Sequence, residues 1–382
     1  MDVMHPRCAG LDVHKKTVVA CVRCVGATGV AVSRTRSFGT TTAELTALAD
    51  WLAEAGVTHV AMEATGVYWK PAWHRLEGRF ELVLANARHL KRVPGRKTDV
   101  KDAEWIAQLL QHGLIAASFV PPRPIRELRD LTRERTQLIR HRAALANRLQ
   151  KVLEDADIKL ASVVTDVLGK TGRAILMALV AGQDDPAKLA ELACGSLRKK
   201  RPQLREALRG SVSEHHRFLL RSLLDRVRQA EDMIERYSLR LGEVGAPFAA
   251  AAARLATIPG VSQKAAEVIL AEVGDDMGRF PTAGHLASWA GMSPGNDVSA
   301  GKRRGGRTTK GSRWLRATLV QVAWSAGHTK ATALGARYRR WAKRLGAKRA
   351  VVATAHKVLV LVYRLLTDET TYVEDHRPGL AA

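Results

Sequence analysis

CAGLDVHKKTVVACVRCVGATGVAVSRTRSF, residues 8–38, holds three β-rich runs: CAGLDV, TVVACVRC and GVAVSRTRSF. HKK and the Gly/Thr turn GATG separate them. Short runs of β-branched residues broken by turn chemistry at this spacing predict an antiparallel three-strand meander.

Outward from the meander, TTAELTALADWLAEAG reads as a helix. It has a threonine cap, Glu44 in the first turn, apolar positions at Leu45, Leu48, Ala49 and Leu52, and a glycine stop. THVAME follows as a buried-type strand, VYWKPAWHRLEG as a short helix containing Pro71, FELVLAN as another strand, and DVKDAEWIAQLLQHG as an amphipathic helix. Three strands, helix, strand, helix, strand, helix is the element order of a ribonuclease H-like α/β domain, assigned to residues 1–124.

From residue 125 the texture becomes helical, so the fold class is α/β plus α. Residues 125–246 carry two heptad stripes, Leu131, Leu138, Leu145 and Val152, then Leu220, Val227, Ile234 and Leu241. Such stripes suit an antiparallel or dimerising coiled coil, and equally a bundle internal to one chain. Shorter helices are expected between them. Residues 247–382 form a third, all-α domain. It opens with LATIPGVSQKAAEVILAEVGD, which has the form of a helix-hairpin-helix. There Pro259 and Gly260 would bring backbone N–H groups to a phosphate, beside a helix N-terminus and Lys264.

The chain has 61 Lys+Arg against 37 Asp+Glu, a net charge of +24. The charge rises along it, from +5 over residues 1–125 to +7 over 126–246 and +12 over 247–382. Between Val298 and Thr367 stand seventeen Lys/Arg and no Asp or Glu. A one-signed field of this length points to nucleic acid as the partner; the plain alternative is a solubilising surface. No apolar run reaches the ~18 residues of a membrane span, and the N-terminus lacks a signal pattern, so no membrane partner and a cytoplasmic location are expected. Four scattered cysteines do not make a disulfide framework, and Cys21 and Cys24 read as core thiols.

Four carboxylates stand out: Asp12 closing the first strand, Glu63 closing the fourth, and Asp99 with Asp102 at the start of a helix. Residues three apart on a helix share a face. Clustered carboxylates repel one another unless a hard cation joins them, and oxygen-only ligands select Mg²⁺ or Mn²⁺. Two such ions would grip the attacking and leaving oxygens of a phosphodiester. The alternative for Asp99 and Asp102 is helix capping. Trp69, Trp73, Trp105 and Tyr68 read as core rather than base-stacking groups.

GLDVHK, EATGVYW, KTDVKDA, IPGVSQKAA and AGMSPGNDVSAGKRRGG, in that order, resemble the insertion-sequence one-ten family of transposases, the DEDD or bridge-RNA-guided recombinases. The resemblance spans nearly the whole chain. It implies a RuvC-like N-terminal domain, a coiled-coil insertion and a C-terminal transposase domain with a catalytic serine. By motif the metal-binding tetrad falls on Asp12, Glu63, Asp99 and Asp102, and the serine on Ser299, with Ser293 the weaker candidate. It further implies DNA as substrate, a structured guide RNA, and a homo-oligomer, dimer or tetramer.

SPGNDVSAGKRRGGRTTKGS, residues 293–312, then acquires a purpose. Its composition is that of a glycine-rich cationic loop unable to fold alone. A serine hydroxyl is a poor nucleophile without a metal, a base or nearby positive charge. Lys302, Arg303, Arg304, Arg307, Lys310 and Arg313 supply that charge and contact nucleic acid, as does Lys97 beside the tetrad. The reading is a transposase acting through a phosphoserine intermediate. Its alternatives are a metal-dependent Holliday-junction-type nuclease using water, and a non-catalytic nucleic-acid-binding protein.

Overall fold

The computed structural model describes residues 2–26, 30–86, 90, 102–293, 297–299, 302–305, 308 and 310–374; of Asp297–Ser299 and Lys302–Gly305 it describes the backbone alone. The chain divides into two compact units, Met1–Val120 and Pro121–Ala382.

In the first unit β1 (Arg7–Val13), β2 (Thr17–Val25), β3 (Ala31–Gly39), β4 (His59–Glu63) and β5 (Glu81–Ala85) form one sheet in the order β3-β2-β1-β4-β5. β2 is antiparallel to β1 and β3, as the meander requires, whereas β4 runs parallel to both β1 and β5. This mixed sheet is compatible with a RuvC-like DEDD transposase domain. α1 (Thr42–Glu54) forms as read: the Thr41 hydroxyl accepts from the Glu44 N–H, and the buried positions are Leu45, Leu48, Ala49 and Leu52. Such a cap contributes about 1 kcal/mol.

Strand alternation sends Ala9, Leu11 and Val13 to one face, with Val60 and Met62, in a core shared with α1 and α2 (Trp69–Leu76). Cys8 and Ala61 face the other way, onto Ile106, Leu109 and Leu110 of α3 (Asp102–Gln111). α3 lies directly on β1. A Cβ at Gly10 would meet Ala103 O and Ala107 N, each at 2.3 Å, so only glycine permits the approach. Cys8 Sγ points at Ala107 O, 3.5 Å away, and burial pushes this thiol up to about 12. All four cysteines are free, with Cys8 and Cys21 in the core. Trp73 is buried and meets half-buried Trp69 edge-on, while Tyr68 is exposed.

Among the described residues the second unit is helical apart from one small hairpin. α4 (Arg123–Asp155) and α9 (Glu214–Gly245) form a long antiparallel arm: Leu128 meets Leu241, Arg142 pairs with Glu231 at 2.7 Å, and Asp155 pairs with His216 at 3.0 Å. Its far end is capped by α5 (Leu160–Val163), α6 (Lys170–Val180), α7 (Pro186–Glu191) and α8 (Arg201–Ala207), around a core of leucines that includes Leu145, Leu149, Leu153, Leu220 and Leu224. Leu131, Leu138, Val152 and Ile234 of the expected stripes are half-buried. Near its base α4 instead buries Thr132 and Arg135, because there it packs on another helix through ion pairs.

That helix is α11 (Gln263–Val273), preceded by α10 (Ala249–Ala256) and followed by α12 (Ala283–Trp289), α13 (Arg313–His328), α14 (Ala333–Leu345) and α15 (Ala347–Thr367). α15 corrects the expectation of no membrane-length run: by length and composition its 21 residues suffice. Its charged residues interrupt the run but leave it apolar enough on average for that length test. Half of its most apolar stretch is buried, and Ala350, Val351, Thr354, Ala355, Val358, Leu359 and Val362 lie in the core of this unit.

Candidate active site and nucleic-acid interface

β1 and β4 bring two of the four carboxylates together. They pair in parallel through Leu11 and Met62, so Asp12 and Glu63 are neighbours at the carboxyl ends of adjacent strands. Asp12 shares the face of Cys8 and Gly10, and Glu63 that of Ala61, which is the α3 side of the sheet. α3 runs opposite to β1: Cys8 lies at Ala107 and Gly10 reaches back to Ala103. Its first residue, Asp102, therefore lies toward the strand end that carries Asp12. Asp12 and Glu63 are half-buried and Asp102 is exposed.

Asp99 and Lys97 lie outside the described residues. Among the described residues no three or more His, Cys, Asp and Glu side chains gather closely enough to hold a metal ion. His14 was not singled out in the sequence, although it stands in GLDVHK; its Nε2 is 3.0 Å from Asp12 Oδ2. The signal was available, since residues i and i+2 at a strand end share a face.

In the second unit the expected serine loop contains real structure. β6 (Asp297–Ser299) and β7 (Lys302–Gly305) pair antiparallel, Ser299 opposite Lys302 and Val298 opposite Arg303, with a register shift between Asp297 and Val298. Within the folded protein a short backbone ladder forms there despite the glycines. The side chains of Ser299, Lys302, Arg303 and Arg304 lie outside the described atoms, and Arg307 outside the described residues. Lys310 and Arg313 are exposed. The Arg313 guanidinium lies over the Trp314 ring at 5.0 Å, as does that of Arg140. Ser293, the weaker candidate, is half-buried at the end of the segment that enters the hairpin.

Gly260 has a packing reason of its own. Its φ is +86°, and a Cβ there would meet Ala326 N at 2.7 Å and Val322 O at 2.8 Å. The absent side chain accommodates α13, so close helix packing accounts for this glycine without a phosphate. Pro259 is half-buried, and Lys264 is exposed in the first turn of α11. Basic α14 and α15 continue the cationic surface. Burial, with Arg337 and Arg364 adding to it, holds Lys357 below the usual lysine range. The cleft at the arm base is lined by Glu127, Asp130 and Glu134 and by none of the expected site residues.

Comparison with known proteins follows this division of labour. Residues 9–157 match the DEDD-type domain described as "Transposase", and residues 252–339 match the domain described as "Transposase IS116/IS110/IS902 family". The chain belongs to the IS110 family of transposases. The first match contains all four tetrad positions and the second contains the hairpin. Over 331 residues, 84% of this chain and 86% of the relative, it is 27% identical to the "Probable family 20 transposase" of Pseudomonas aeruginosa. Over 119 residues, 31% of this chain and 29% of the relative, it is 29% identical to the "Insertion element IS110 uncharacterized 43.6 kDa protein" of Streptomyces coelicolor. Family membership favours an IS110 transposase over a resolvase-type nuclease or a binding protein without catalysis.

Proposed function

We propose that this IS110-family transposase cuts and rejoins DNA through a phosphoserine intermediate formed by Ser299. The observation that carries the reading is the pairing of β1 with β4, which sets Asp12 and Glu63 side by side on the face that bears Asp102. Acidic side chains gathered at adjacent strand ends suit a hard cation. Asp12, Glu63, Asp99 and Asp102 would hold Mg²⁺ or Mn²⁺, which when bound supplies charge neutralisation at a phosphodiester.

Ser299 does the covalent work. Its Oγ loses a proton and bonds to phosphorus as one P–O bond to a deoxyribose breaks, and the departing oxygen takes up a proton. In rejoining, a deoxyribose hydroxyl attacks the same phosphorus, its proton leaves, and the serine is regenerated. The energy of the cut bond is kept in the ester, so no nucleotide triphosphate is consumed. Lys302, Arg303, Arg304 and Arg307 stabilise charge on the phosphorane, and Lys264, Lys310 and Arg313 hold the backbone of the nucleic acid.

Target choice is made by a structured RNA that pairs with donor and target DNA, and the active enzyme is a dimer or tetramer whose protomers share active sites. Support for a polyanionic partner is the +12 charge of residues 247–382. The test is to sequence the RNA that accompanies the purified protein and supply Mg²⁺ with DNA matching it. Ser299→Ala should abolish recombination and leave DNA affinity within about threefold, since the hydroxyl adds no charge to phosphate binding. Recombination by Ser299→Ala would refute the serine assignment.

A further inference from the structure

Glu272 is an acid inside the core of a strongly basic unit, with a side chain 1% exposed. A buried carboxylate persists only where it is paired and hydrogen-bonded. Arg133 of α4 grips it with both ends of its guanidinium, at 2.7 and 3.0 Å. Arg129, one helical turn earlier, stands 3.9 Å away and donates to the carbonyls of Ala271 and Glu272 at 3.0 and 2.7 Å. The third partner is Ser312, whose hydroxyl donates to Glu272 Oε2 at 2.8 Å. Ser312 Oγ in turn accepts from the Leu315 N–H at 3.3 Å and so caps α13.

Ser312 is the residue at which the chain returns from the β6–β7 hairpin. One residue earlier, a Cβ at Gly311 would lie 2.1 Å from Ala290 O and 2.7 Å from Gly291 N. The returning chain thus crosses the departing chain backbone to backbone, and the hairpin leaves and re-enters through one closed neck. The departing side is held as well: Arg316 donates to Gly291 O at 3.4 Å, and His356 Nδ1 lies 3.3 Å from Met292 O. Glu272 fastens this neck to the arm.

We infer that Glu272 and Ser312 form a positioning latch, which holds the neck of the hairpin bearing Ser299 and ties it to arm helix α4. The inference rests on Ser299 being the nucleophile, as proposed above. Nearest-neighbour chemistry separates latch from cap. Ser312→Asp still caps α13 but turns a second carboxylate onto Glu272, whereas Ser312→Thr keeps both hydrogen bonds.

The test compares Ser312→Asp and Ser312→Thr in the full-length protein with its RNA. Amide exchange of Asp297–Ser299 and Lys302–Gly305 should quicken about tenfold or more in Ser312→Asp, with the arm core around Leu145 and Leu149 unchanged. Formation of the protein–DNA adduct should slow about a hundredfold while DNA affinity holds within about twofold, because the defect is one of placement. Ser312→Thr should match the parent in both. Parent-like exchange in Ser312→Asp, or parent-like adduct formation despite faster exchange, would overturn the latch. Adduct formation by Ser299→Ala would remove the serine assignment instead, and the exchange comparison, which uses no DNA, would still decide whether the neck is held.

Discussion

The two units carry their chemistry in opposite ways. In the first, Asp12 and Glu63 end strands in the middle of a five-stranded sheet, and α3 is seated so closely that Gly10 has no room for a methyl group. In the second, Ser299 stands on a three-residue strand paired with a four-residue one, set beyond a neck made by Gly311 and Ala290. On the proposed mechanism the carboxylates share a cation and must be held against mutual repulsion, and strands packed from both faces provide such a scaffold. A nucleophile that must meet a phosphate and leave it again needs only a fixed base. On the proposed mechanism the sheet would place the cation and the hairpin would deliver the hydroxyl.

The sharpest way to break this contrast is to remove charge from the sheet. Asp12→Asn and Glu63→Gln should each lower DNA cleavage about 10³-fold or more and leave thermal stability close to the parent. Cleavage at the parent rate would take the sheet out of the chemistry. Packing gives the next effect. Gly10→Ala forces a Cβ onto the α3 backbone and should destabilise the first unit by about 3 kcal/mol or more, read by denaturant unfolding. Gly260→Ala meets both a positive φ and the backbone of α13, and should cost the second unit about 2–4 kcal/mol. Lys264→Ala, beside it, should leave stability alone and reduce the salt dependence of DNA binding by about one unit of slope. If instead Gly260→Ala folded normally and lost only DNA affinity, phosphate contact rather than packing would explain that turn.

The smallest effect concerns pH. Lys357 titrates below its unfolded value of 10.5 because of burial and the neighbouring Arg337 and Arg364. Between its lowered folded value and 10.5 the unfolded chain binds more protons, so this residue makes stability rise with pH. Lys357→Met should raise the Tm at neutral pH and flatten that rise. A lower Tm would show that the ammonium is paired favourably.

What could be read from the sequence was local. The Thr41 cap and the four buried positions of α1 follow from a helical period, and the strand order from runs bounded by turns. The closeness of Asp12 to Glu63 was legible because both end apolar strands. Contacts between distant segments were not. Arg129, Arg133 and Arg135 look like the solvated face of a charged helix, yet they pair with Glu272 and Glu267 more than 130 residues away. Gly10 and Gly260 carry no local mark of the helices that cover them, and Leu138 fits its heptad but is only half-buried. Periodicity reports which face of an element is apolar; it does not report which neighbour arrives there.

The account is tested most directly by trapping the enzyme on DNA. Protein carrying its own RNA, given Mg²⁺ and matching DNA, would be denatured, digested and searched by mass spectrometry for a peptide joined to nucleotide. A single phosphodiester-linked peptide modified at Ser299, absent when Asp12→Asn replaces the parent, is the predicted result. Cut DNA with free ends and no linked peptide, or a linkage at another residue, would contradict it.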